Sequence, residues 1–163
     1  MLRNFMVALG MSVLLAGCAP LVGVNANSTT PPSAETRKKF QGGTTNMTFS
    51  AHGTQVEFLS KDGRTALWYP GNGIVLQGRW RLVGADPTTG FQDNICFQYG
   101  ANTYNPLTLN YGGNWECEGI ALYQGHVVER VAGDPFGLGK RGAVPFVLPR
   151  QRTTFAELLK RRS

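Results

Sequence analysis

Histidine is nearly missing from this chain: only His52 and His126 occur in 163 residues. His52 falls in a predicted turn and His126 opens a predicted strand, both ordinary surface positions for the residue. The short motifs of common chemistries are missing too. There is no G-x-S-x-G, H-E-x-x-H, P-loop or G-x-G-x-x-G, and Gly137-Leu138-Gly139-Lys140 lacks the spacing that cradles phosphate. No catalytic role, cofactor or metal is therefore expected. Long apolar runs are scarce. The longest, Phe5 to Leu15, is interrupted only by Ser12, and it reaches about half of the roughly 20 residues that a membrane-spanning helix needs. No 10–15-residue helical pattern separates the predicted strands, which counts against a parallel α/β sheet, and there is no internal repeat.

What is present begins at the N-terminus. Arg3 gives a positive start, the apolar run follows, and the segment closes on Leu15-Ala16-Gly17-Cys18. A short apolar core of this kind suits a signal peptide over residues 1–17. The closing four residues resemble the lipobox of bacterial lipoproteins. The resemblance implies cleavage before Cys18, diacylation of its sulfur and acylation of its new amino group. Acyl chains at ~0.8 kcal/mol per buried CH₂ would hold the protein on a membrane. In such lipoproteins an Ala at the next position, here Ala19, implies release to the periplasmic face of the outer membrane. An ordinary secretory signal with a chance cysteine is the alternative.

With Cys18 assigned to lipid, Cys96 and Cys117 remain, in a compartment where disulfides persist. A disulfide between them is expected to contribute on the order of 3 kcal/mol in the chain-entropy model. The competing reading is a metal site, but two cysteines 21 residues apart, with His126, lack the short C-x-x-C pairing of zinc.

Charge is unevenly distributed. The formal net charge is +6, yet residues 40–137 carry five bases against eight acids, and residues 138–163 carry seven bases against Glu157 alone. An acidic core at an exported address argues against nucleic acid. It favours anionic lipid, an envelope polymer or an acidic protein face as partner of the basic segment.

Residues 18–33 are small, polar and Pro-containing, the composition of a flexible tether with a reach of roughly 20 Å. Ser33 caps a predicted helix through Lys39. Turn signals then recur rapidly between short runs: Thr44–Ser50, Gln55–Ser60, Arg64–Tyr69, Ile74–Gly84, Asn94–Tyr99, Trp115–Tyr123 and His126–Ala132. They predict a mainly β domain over 34–137, an antiparallel meander forming a small barrel or curved sheet of about 7–8 strands. Alternation places Leu76, Gly78, Trp80 and Leu82 on one face of a strand and Gln77, Arg79 and Arg81 on the other. Residues 138–163 read as a basic, Gly/Pro-containing tail. In it, Thr154-Phe155-Ala156-Glu157 is a capping box, and Phe155, Leu158 and Leu159 form one apolar stripe of a short C-terminal amphipathic helix. Lys160, Arg161 and Arg162 follow it, as a lipid or partner contact or as solvated residues of a helix docked on the barrel mouth.

The series Asp62-Gly63, Gly78-Arg79-Trp80, Ile95-Cys96-Phe97-Gln98-Tyr99 and Trp115-Glu116-Cys117 is similar to a pattern in a family of small exported alphaproteobacterial proteins of unknown function. The resemblance spans roughly residues 40–133 and implies a lipocalin-like β fold without supplying an activity.

Two groups of residues bear on function. Glu116 and Glu118 share a strand face about 7 Å apart at ~3.3 Å per residue, a spacing that suits a glycosidase pair. The second carboxylate of such sites normally comes from another element, so the two read as a solvated face. Tyr99, Tyr104, Tyr111 and Trp115 lie in or beside the Asn/Gly-rich connector 100–114. It is long for a loop without a purpose and holds a candidate short strand at Leu107–Asn110. Aromatic faces with amides can contact sugars or protein surfaces; the alternative places Tyr99 and Trp115 in the core, with the loop tyrosines packed locally. The expectation is a membrane-anchored, non-catalytic interaction or structural module. A lipocalin-like carrier of a small apolar ligand is the alternative, and an enzyme a more distant one.

Overall fold

The computed structural model describes residues 26–85 and 92–162; the predicted signal peptide, Cys18 and the first part of the predicted tether lie outside them. The chain opens with helix α1 (Ala34–Lys39), whose N-cap Ser33 accepts from the Thr36 amide, as a Ser before a short helix should. Five strands follow: β1 (Thr44–Ser50), β2 (Gly53–Leu59), β3 (Arg64–Trp68), β4 (Leu76–Val83) and β5 (Asn94–Tyr99). The connector folds as a small hairpin of β6 (Tyr104–Asn105) and β7 (Asn110–Tyr111). Then come β8 (Glu116–Gly119), α2 (Ile120–His126), β9 (Val127–Ala132), a 3₁₀ turn (Leu138–Lys140) and α3 (Phe155–Arg162).

Seven strands form one antiparallel sheet in the order β8-β5-β4-β3-β2-β1-β9. It is a curved sheet, a curled half-barrel. The two edge strands, β8 and β9, are joined by α2 alone, a helix of seven residues. At 1.5 Å per residue, α2 is only about 10 Å long, so the sheet must curl until its edges nearly meet. Among the described residues no ladder joins β8 to β9.

This overturns two details of the sequence reading. The strand predicted over Trp115–Tyr123 stops at Gly119, and Ala121 and Tyr123 belong to α2. The apolar alternation there is shared by a helical spacing, and Ile120 and Tyr123, three apart, pack on the same core cluster. The candidate strand at Leu107–Asn110 is instead a tight turn over 106–109 that leads into β7 at Asn110, with Asn105 Oδ1 accepting from the Leu107 and Thr108 amides.

Each sheet face has its own core. On the outer face, Met47, Val56, Ala66 and Trp68 pack against Phe136, Leu138, Leu148, Phe155 and Leu158. The segment read as a basic tail thus supplies Leu138, Leu148, Phe155 and Leu158 to that layer. Its capping box forms: the Thr154 amide donates to Glu157 Oε2 at 2.9 Å, and the Glu157 amide donates to Thr154 Oγ1 at 3.2 Å. The helix lies across the outer face of the sheet, not on a barrel mouth. On the inner face, Phe40, Leu59, Trp80, Ile95 and Tyr123 cluster beneath α1 and α2. They fill one end of the half-barrel and leave the other end open.

The disulfide between Cys96 and Cys117 is formed. The two residues stand directly opposite each other on β5 and β8, so the bond pins the short edge strand. The N-terminal segment is also held, from Ala26 on. Ala26 accepts from Arg81, Thr30 accepts from the Gly84 amide, and Ser33 bonds Asp93. A Cβ on Gly84 would stand 2.2 Å from the Pro31 carbonyl oxygen, so only glycine permits this approach.

Candidate functional site

The open end of the inner face is a cleft of about 1110 Å³. Strand alternation decides which side chains enter it. On β2, Val56 and Phe58 point to the outer core, so Gln55 and Glu57 point inward. On β5 the inward set is Phe97 and Tyr99; on β8 it is Glu116 and Glu118. The sequence reading of Glu116 and Glu118 as a solvated face is corrected here. Their shared face is right, but the curl turns that face into the cleft.

The floor is built around Glu57, which is only 7% exposed. Its Oε1 accepts from Thr65 Oγ1 at 2.8 Å and closely from the Tyr99 hydroxyl. Glycine makes this possible. Gly78 stands opposite Tyr99 in the ladder, and a Cβ there would lie 2.7 Å from the ring. The bare backbone of the Gly78-Arg79-Trp80 motif gives the ring a place to lie, and its hydroxyl reaches Glu57. Burial pushes the Glu57 carboxyl up to about 7, against the pull of the Tyr99 and Thr65 hydrogen bonds, with a smaller push from Glu118. A carboxyl deprived of water favours its neutral form. Burial likewise lifts Glu118 to about 7, and the Tyr99 hydroxyl well above the usual phenol range, aided by Glu57.

Around this floor stand His126, whose Nδ1 is 3.9 Å from Glu118 Oε2, and Tyr123. Tyr123 accepts from Asn46 Nδ2 at 3.0 Å, and Arg130 Nε holds the other end of that amide at 2.6 Å. At the opposite lip, His52 meets the Tyr69 hydroxyl at 3.3 Å; burial, then the Arg150 charge, lowers its pKa.

The rim is the β6–β7 hairpin. Tyr104 lines the mouth and is 50% exposed, and its ring stands 5.1 Å from that of Tyr111, which is 72% exposed. Trp115 borders the cleft, with the Arg81 guanidinium 4.2 Å above its ring. These three aromatics therefore gather at one side of the opening. Lys160, Arg161 and Arg162 lie away from it on α3. The Arg161 guanidinium covers the Phe146 ring at 4.1 Å, and Arg162 donates to the Pro135 carbonyl.

Sequence reasoning grouped Tyr99 with the connector aromatics but missed Glu57, Tyr69 and Tyr123 as parts of one site. The inward polar face of β2 carries the same alternating signal as a solvated face, and Tyr123 reads as a strand residue. Among the described residues no group of three or more His, Cys, Asp or Glu side chains is arranged to hold a metal ion, and no helix is long and apolar enough to cross a membrane. Compared with known proteins, the chain matches no family model, no curated protein and no solved structure at a significant level.

Proposed function

We propose that this protein is a membrane-anchored envelope lipoprotein whose β domain is a non-catalytic binding module, with the inner cleft as the seat of its ligand. The cleft carries the reading. A curled sheet that fills only one end of its interior leaves a wide, shaped hollow at the other, and such hollows are where ligands bind. The scaffold is rigid at that point: the disulfide pins β8, and the Glu57–Tyr99–Thr65 bonds tie β2, β5 and β3 together. The lipobox supports the anchor. With the chain held from Ala26, a lipid on Cys18 would keep the domain within roughly 30 Å of the headgroups, the reach of the intervening extended chain.

A carrier of an apolar ligand fits less well, because three carboxyls line the cleft and would lose water to an apolar guest without compensation. Two carboxyls shifted into the neutral range are the observation that favours an enzyme. One oxygen of Glu57 is already bonded to two hydroxyls, which suits a structural post better than a proton carrier.

Site-specific photocrosslinking in intact bacterial envelopes tests the reading. A crosslinker replacing Tyr104 should capture an envelope component, and one replacing Arg79 on the outer face should not. Equal capture from both positions, or none from Tyr104, would reject the cleft as the binding site. Metabolic labelling with palmitate, lost in Cys18→Ser, tests the anchor.

A further inference from the structure

The lining of the cleft has a composition that narrows its ligand. The chain holds 16 Lys and Arg, yet among the described residues none lines the cleft. Its carboxyls are Glu57, Glu116 and Glu118, beside His52 and His126, so an anionic ligand would find no Lys or Arg in the lining to pair with. Of the other polar lining, the exposed amides of Asn102, Asn110 and Asn114 ring the mouth on and beside the β6–β7 hairpin, and half-buried Asn105 lies among them with its Oδ1 held by the Leu107 and Thr108 amides. Asn side chains both donate and accept. Carboxyl oxygens, ionised or not, accept from hydroxyls. The Tyr104–Tyr111 pair adds an exposed aromatic platform beside these amides. The volume is at or above the ~300–1,000 Å³ of sites for drug-sized molecules, room for several joined units rather than one.

Resting on the reading of the cleft as a binding site, we infer that the ligand is a neutral glycan, a short run of linked sugars. Sugar hydroxyls donate and accept in the mixed pattern that amides and carboxyls match. The C–H face of a sugar ring stacks on an aromatic face, as apolar surface does on the body of a tyrosine. A polyamine or a cationic peptide is the competing occupant. It would answer the carboxyls but would leave the amide rim and the aromatic platform without a role.

The test is calorimetric titration of the purified full chain, disulfide intact, with maltotetraose, cellotetraose, N-acetylchitotetraose, tetragalacturonate and spermine. At least one neutral tetrasaccharide should bind, with little change between about 50 and 500 mM salt, since no ion pair is there to screen. Tyr104→Ala, at an exposed rim position, should weaken that binding roughly 3- to 10-fold, the scale of one stacking contact, and Arg79→Ala should not. Preferred binding of spermine or tetragalacturonate would overturn the glycan assignment, as would a neutral sugar whose affinity ignores Tyr104. If no saccharide binds while the Tyr104 crosslinker still captures a component, the glycan class falls and the binding module stands. If both fail, the cleft is not a binding site.

Discussion

Glu57 makes the stability of this protein depend on pH in a way that runs against the usual behaviour of carboxylates. Its folded pKa is about 7, against an ordinary value of 4.5. In the unfolded chain it ionises near 4.5; in the folded protein it keeps its proton until about 7. Between those values the folded state binds more protons than the unfolded one, so stability falls as pH rises through this window and levels off above it. At about 1.36 kcal/mol per pKa unit, the full loss is on the order of 3 kcal/mol. The wild-type chain should therefore be more stable at pH 5 than at pH 8. Glu57→Gln keeps an acceptor for the Tyr99 and Thr65 hydroxyls and removes the ionisation. Urea denaturation of both proteins from pH 4.5 to 8, without reductant, gives the curves. The variant should lose most of the downward slope and gain on the order of 3 kcal/mol relative to wild type at pH 8. Two other groups share the window. Glu118, also raised to about 7, adds a slope of the same sign, discounted for solvent screening because a third of its side chain is exposed. His52, with its pKa lowered by burial, adds stability as pH rises toward its ordinary 6.5. Both are common to the two proteins and cancel in the difference, apart from the small repulsion between Glu118 and Glu57, which Glu57→Gln removes. A difference between wild type and Glu57→Gln that does not change with pH would refute the buried carboxyl.

Three further outcomes follow from the packing. Gly78→Ala should cost about 1–3 kcal/mol and shift the NMR signals of the Tyr99 ring, because its Cβ would stand 2.5 Å from the Gln98 carbonyl oxygen and 2.7 Å from that ring; an unmoved ring would contradict the proposed support of Tyr99. Reducing the Cys96–Cys117 bond, which spans 21 residues of sequence, should lower stability by about 3 kcal/mol in urea titrations with and without reductant, with hydrogen exchange accelerated first in β8. Leu158→Ala should cost about 2–5 kcal/mol by thermal denaturation, since Leu158 is fully buried against the outer face of the sheet; a loss below 1 kcal/mol would mean that α3 is not part of the core.

Much of the fold was legible because strands and caps are local. The limits of β1 and β5 coincide with the predicted runs, Ser33 caps α1, and the Thr154–Glu157 box opens α3, all from residues within a few positions of one another. The two cysteines were legible as a pair because reading Cys18 as lipidated left only two. The site was legible in part. Tyr104, Tyr111 and Trp115 sit at its edge as the connector suggested, but Glu57 and Tyr99 are 42 residues apart and nothing in either segment announces the other.

The sequence by itself determined the alternation of each strand, the turns between them and the identity of the residues on each face. Period two says that Glu116 and Glu118 lie together, and that Gln55 and Glu57 do. It cannot say which face is enclosed, because a polar face looks the same whether it meets bulk water or lines a wet hollow. Tertiary structure decided that. With only α2 to join the sheet's two edges, the sheet curls toward α2, and the C-terminal segment covers the opposite face with Leu138, Leu148, Phe155 and Leu158. The curl brings carboxyls, tyrosines and the Asn-rich hairpin around one opening, and burial there gives Glu57 and Glu118 protonation behaviour that neither residue has in the unfolded chain.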